Sequence, residues 1–102
     1  MNKPVRWSDA GKAEFRRQLS YLLKTSPRAS RLVRDCLLAA IAQLSQMQTG
    51  RKGRVEGTFE IYTPKTSLII AYDYVEGGTV LRLLRFIHTS RDFKPGQFPP
   101  AD

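Results

Sequence analysis

"SPRASRLVRDCLLAAIAQL", residues 26–44, is the most strongly patterned stretch of the chain. Ala29, Leu32, Val33, Cys36, Leu37, Ala40, Ile41 and Leu44 recur at steps of three and four. At about 100° per residue that spacing gathers them on one side of an α-helix, with Arg28, Arg31, Arg34 and Asp35 on the other. The start is punctuated: Ser26 is placed to accept a backbone hydrogen bond as N-cap, and Pro27 suits the first helical position, where a missing N–H costs nothing. Gly50 is the expected stop. Cys36 sits inside the apolar stripe, which predicts a buried, inert thiol rather than a nucleophile. A helix with one apolar face must bury it against a second layer, and the flanking segments provide one.

Upstream, residues 9–24 repeat the helical period through Phe15, Leu19, Leu22 and Leu23, with Lys12, Arg16 and Arg17 elsewhere on the circumference and Ser8 as N-cap. "PVRW" (4–7) before it reads as a short strand. Downstream, the glycine-punctuated basic loop "GRKGRVEG" (50–57) leads into the alternating "TFEIYT". "PKTS" turns the chain into "LIIAYDYV", and "EGG" makes a tight hairpin to "TVLRLLRFIH". The predicted order is β-α-α-β-β-β: an α+β fold with two N-terminal helices packed on a small, mainly antiparallel sheet. Residues 1–102 form one expected domain, with an extended tail at about 94–102 resting on the body through Phe98.

Composition narrows the function. The net charge is +8, and residues 1–54 hold twelve Lys/Arg against three Asp/Glu while residues 55–102 hold five against six. That concentration of charge favours an acidic partner, either nucleic acid, an acidic protein segment or a nucleic-acid-bound machine. One cysteine excludes an internal disulfide, and one cysteine with one histidine cannot furnish a four-ligand zinc site, so neither a metal nor another cofactor is expected. No segment reads as a membrane span or a signal peptide, and a soluble, cytoplasmic protein is the expectation. "GRKG" lacks the spacing and the following helix of a phosphate loop.

The opening strand with "WSDAGKAEF", the proline-started helix, "GRKGRVEGTFEI", "LIIAYDY" and "LRLLRFIHTSRDF" together resemble the RelE/ParE superfamily, the toxins of bacterial type II toxin–antitoxin modules. The resemblance spans nearly the whole chain and implies one of two activities on one fold. RelE-type members cleave messenger RNA in the ribosomal A site, using basic groups and often a terminal tyrosine. ParE-type members bind DNA gyrase and trap it on cleaved DNA. Three positions favour the second. Glu60 in "GTFEI" stands where the RelE pattern has an arginine, an unfavourable exchange at a site that must stabilise phosphate. Phe93 replaces a tyrosine and has no hydroxyl to pass a proton. "HTSRDF" itself resembles the ParE-like ending.

The resemblance therefore implies a topoisomerase poison without its own catalytic site, whose action stalls replication and arrests growth. A cognate ParD-like antitoxin with an acidic tail would neutralise it in a toxin–antitoxin hetero-oligomer. Arg51, Lys52, Arg54, Arg82 and Arg91 are the candidates for contacting the target. Phe15, Leu19 and Leu22 are the candidates for an antitoxin groove between the first helix and the sheet. Arg82 and Arg85 fall on opposite faces if the last strand is regular. His88, the only histidine, reads as a structural corner held by backbone or Asp92, with Arg91 closing a turn. The alternative is a ribosome-dependent endonuclease in which Arg54, Arg85, His88 and Arg91 form a catalytic basic cluster. A toxin that keeps only antitoxin binding is the third possibility.

Overall fold

The first and last described strands lie side by side in the sheet. A computed structural model, which describes residues 2–89, gives the element order β1 (Val5–Trp7), α1 (Asp9–Thr25), α2 (Pro27–Gln46), β2 (Arg51–Lys52), β3 (Phe59–Thr63), β4 (Leu68–Val75) and β5 (Val80–His88). The strands form one sheet in the order β1-β5-β4-β3-β2. β1 lies parallel to β5, and the other pairs are antiparallel. The fold is α+β as expected, with one addition. Arg51–Lys52 pairs with Phe59–Glu60 as a two-residue edge strand inside the segment expected to be loop. Two residues carry no alternation to read, so this strand exists by pairing alone. The expected tail at 94–102 with Phe98, and Arg91, Asp92 and Phe93 before it, lie outside the described residues.

Both helices start as their caps predict. The Ser8 hydroxyl accepts from Gly11 N–H and donates to the Leu84 carbonyl, so one cap also fastens α1 to β5. Ser26 accepts from Ala29 N–H, with Pro27 at the first turn. Gly11 is buried where the helix meets the strand, and a Cβ there would lie 3.0 Å from the Leu83 carbonyl oxygen. α2 ends at Gln46 with Met47 as C-cap rather than at Gly50, because Met47 N–H already closes the last turn on the Gln43 carbonyl.

The core lies between α2 and one face of the sheet. Leu37, Ile41 and Leu44 pack on Leu68, Ile70, Tyr72, Leu81, Leu83 and Phe86. Trp7, Phe15 and Phe86 form an aromatic cluster at one end, with ring centroids 5.0–5.7 Å apart. The apolar stripe of α2 is wider than the surface the sheet covers. Leu32 is 57% exposed and Cys36 only half-buried, while Ser30, outside the stripe, is buried against α1 and donates to the Leu19 carbonyl. On α1, Leu23 is exposed as well. The period identified the face correctly and overestimated its width.

β5 contains a bulge. Tyr72 pairs with Leu83 and Ala71 with Arg85, leaving Leu84 as the extra residue. Side-chain parity flips there: Leu81 and Leu83 face the helices before it, Phe86 after it. Arg82 and Arg85 are thereby brought to the same face, the one opposite the helices, whereas regular alternation would have separated them.

Candidate functional site

Four neighbouring strands place Arg51, Glu60, Ala71 and Arg85 in one cross-strand row on the face away from the helices. Asp73 and Arg82 form the next pair on the same face. Both arginines of β5 are engaged by carboxylates. Arg82 donates from Nε and Nη2 to the two oxygens of Asp73 at 2.9 and 2.6 Å. This fork raises the guanidinium pKa further above its ordinary value, chiefly through the hydrogen bond to Asp73. Arg85 forks onto Glu14 of α1 at 2.8–3.1 Å, and the same carboxylate accepts Phe86 N–H at 3.0 Å. Glu14 thus satisfies a β5 backbone donor beyond the end of β1 and neutralises an arginine at the same point.

The basic loop borders this face. Arg51, Lys52 and Arg54 are exposed. Their backbone is held from below: Gly50 N–H donates to the Tyr72 hydroxyl at 3.0 Å, and Arg54 N–H donates to Glu60 Oε2 at 3.1 Å. Tyr72 is fully buried, and burial pushes its phenol up to about 12. Burial likewise raises the Tyr74 phenol, which donates to the Leu44 carbonyl.

His88 is the last residue of β5, half-buried and paired across the ladder with Leu68. It faces the helices, opposite to Arg85. There it lines a recess of about 430 Å³ with Gln18, Tyr21 and Leu22 of α1, Val33 of α2 and the turn Lys65–Leu68. This is a groove between α1 and the sheet, and Leu22 is the one of the three proposed antitoxin-binding residues that lines it. Phe15 is instead packed into the aromatic cluster, and Leu19 is half-buried above Ser30. Of the alternative catalytic set, Arg54 and Arg85 are placed at or near the far face, His88 is on the helix face, and Arg91 lies outside the described residues.

A second groove was not foreseen. Cys36, Ala39, Ala40 and Gln43 of α2 and residues 61–65 of β3 and its turn line about 390 Å³ of mostly apolar space. β2 covers only Phe59 and Glu60, so the outer edge of β3 beyond them runs beside this groove. The sequence signal was the surplus width of the α2 stripe: Ala40 packs against the core as expected, but with the half-buried Cys36 it also forms one wall of the groove. Among the described residues no group of three or more His, Cys, Asp or Glu could hold a metal ion, and no helix is long and apolar enough to cross a membrane.

A helix hairpin on one face of a five-stranded mixed sheet, with a charged far face and a basic loop at its rim, places this chain among the RelE/ParE-like toxins. Residues 5–93 match the model of the ParE toxin of type II toxin–antitoxin systems, and the chain belongs to that family. Among solved structures it resembles the chromosomal ParDE system from P. aeruginosa, with a TM-score of 0.75 at 13% identity over 86% of this chain and 97% of that one. It also resembles the RelBE2 toxin–antitoxin complex from Mycobacterium tuberculosis, with a TM-score of 0.58 at 22% identity over 86% and 92%. A mutant of the E. coli toxin RelE in the free state aligns with a TM-score of 0.54 at 8% identity over 90% and 88%. Identities this low establish a shared fold. No curated protein matches the sequence significantly.

Proposed function

We propose that this protein poisons a type II topoisomerase, DNA gyrase in the first instance, by binding it and trapping it on cleaved DNA, and that it performs no chemistry of its own. The observation that carries this is the use made of its charged groups. Glu60, at the place of a RelE arginine, is turned to the backbone of the basic loop. Arg82 and Arg85 are each forked onto a carboxylate, which blunts the charge they could offer a phosphate in flight. In the endonuclease alternative Arg85 would have to act with His88, yet its guanidinium is taken up by Glu14 of α1. The target then meets the exposed cations Arg51, Lys52 and Arg54.

Neutralisation falls to a cognate antitoxin with an acidic, amphipathic tail, consistent with the toxin–antitoxin systems among the structural relatives. Exposed Tyr21, Leu23 and Leu32 lie on helices that also display Arg16, Arg17, Arg28 and Arg31, a pairing of apolar and cationic groups that suits such a segment. Leu22, in the recess beside His88, extends the same surface inward. Leu22→Glu is expected to weaken antitoxin binding at least tenfold while the fold survives; unchanged affinity in a folded variant would remove the recess from the interface.

The deciding experiment pairs gyrase supercoiling, with linear DNA read after denaturant, and ribosome-programmed mRNA cleavage on one toxin preparation. Linear DNA without mRNA cleavage is the expected result. A-site cleavage with unaffected gyrase would overturn the proposal.

A further inference from the structure

Residues 51–54, between α2 and β3, hold three cations in four positions, and the stretch is pinned by two buried side chains. At its start, Tyr72 accepts Gly50 N–H and donates to Gln48 Oε1 at 2.5 Å. At its crest, Glu60 accepts Arg54 N–H. Between and beyond them Gly53 N–H donates to the Thr58 carbonyl at 2.8 Å, and the Thr58 hydroxyl to the Val55 carbonyl at 2.6 Å. Gly50 and Gly53 are closely packed against this frame. A Cβ on Gly50 would lie 2.6 Å from the Glu60 carbonyl oxygen and closer still to the Tyr72 hydroxyl, and a Cβ on Gly53 would strike the Thr58 hydroxyl.

Glu60 is 9% exposed, a position at which a carboxylate is tolerated only when hydrogen bonds replace its water. An acceptor that is ionised forms a stronger bond to a backbone donor than a neutral one does. Its neighbour in the cross-strand row, Arg51, belongs to the same loop, so one acid stands beneath two of the loop's cations.

We infer that Glu60 is a positioning residue: it fixes the backbone of residues 50–54 so that Arg51, Lys52 and Arg54 reach an anionic target as a preformed set. This rests on the proposal that the loop meets the target. Preorganisation of this kind strengthens binding by removing the cost of ordering the loop at the moment of contact. The acid therefore assists the cations around it, although its own charge opposes theirs toward a phosphate.

The test uses the full-length chain in three variants. Glu60→Met keeps the length of the stem and removes the strong acceptor; Glu60→Gln keeps a carbonyl acceptor without the charge. The third replaces Arg51, Lys52 and Arg54 together with alanine. Each is measured for growth arrest on expression, for inhibition of purified gyrase on supercoiled plasmid, and for hydrogen exchange of the amides at 50–54, with thermal melting to confirm folding. Glu60→Met is expected to raise exchange at Arg54 and Gly53 and to weaken inhibition roughly tenfold or more, and Glu60→Gln to restore both. Inhibition retained by Glu60→Met while the triple variant loses it would overturn the inference and leave the target reading intact. If both acid variants lose inhibition equally with unchanged exchange, charge rather than position is at work, and the inference fails. Full potency in the triple variant would remove the loop from the target interface and end both. Should Glu60→Met not fold, the glutamine variant still decides: it must keep exchange and inhibition near wild type.

Discussion

Replacing Glu14 with alanine tests how α1 is joined to the sheet. The carboxylate holds Arg85 through Nε and Nη2 and also accepts Phe86 N–H, and each partner's side chain is only 16% exposed. Breaking a buried pair by removing one member costs about 3–5 kcal/mol, because the other charge is stranded. Residual exposure lets water reach the guanidinium, which places the expected loss near the lower end, about 3 kcal/mol. For a domain of this size about 4–8 °C is lost per kcal/mol, so the melting temperature should fall by roughly 12–24 °C. Glu14→Gln keeps an acceptor for Phe86 N–H and loses the charge, and should fall about midway. The loss should change little between low salt and about 0.5 M, since a pair this enclosed is poorly screened. Thermal and urea unfolding of the purified variants measure both effects. A loss below about 1 kcal/mol for the alanine variant would refute the reasoning and assign the pair to the weak class of surface ion pairs.

Three further outcomes are expected. Tyr72 stays protonated to about pH 12 in the fold and ionises near 10 when unfolded, so its contribution is complete below pH 10 and is lost as pH rises toward 12. Tyr72→Phe should be about 1–2 kcal/mol less stable than the parent at pH 8, where Gly50 N–H loses its acceptor, and denaturant melts should show that deficit narrowing above pH 10. Leu37→Ala, at a fully buried position, should cost about 2–5 kcal/mol in urea unfolding, whereas Leu32→Ala, at an exposed one, should cost less than about 1. Gly11→Val should lower the melting temperature, since its side chain would press on the Leu83 and Leu84 carbonyls; an unchanged melt would mean that α1 can lift from β5 at no cost.

What the sequence revealed was what local chemistry determines. Ser8, Ser26 and Pro27 marked the helix starts because capping involves residues only three apart. The alternating strands and the Glu76–Gly77–Gly78 turn, where all three φ angles are positive, were equally legible. Long-range pairing was not. Glu14 meets Arg85 across 71 positions, and nothing near either residue announces the other. The bulge at Leu84 left one trace, the doubled leucine at 83–84, which a strict period of two passes over. Glu60 stood out by resemblance, as a charge in the wrong place for a nuclease, but its bond to the loop backbone became visible only once β3 was paired. The groove beside α2 was hidden because a sequence reports how much of a helix is apolar and not how much of it the sheet will cover.

The strand order has a bearing on how such a toxin is made. β5, the last strand to be synthesised among the described elements, lies between β1 and β4 at the interior of the sheet. Until residues 80–88 have left the ribosome, β1 has no partner, Ser8 and Glu14 have no strand to hold, and only the α1–α2 hairpin and the β2-β3-β4 edge can form. A nascent chain interrupted before that point lacks the element that closes its sheet. A chain cut off before these residues therefore cannot complete the core, and the folded toxin comes into being only when β5 is inserted.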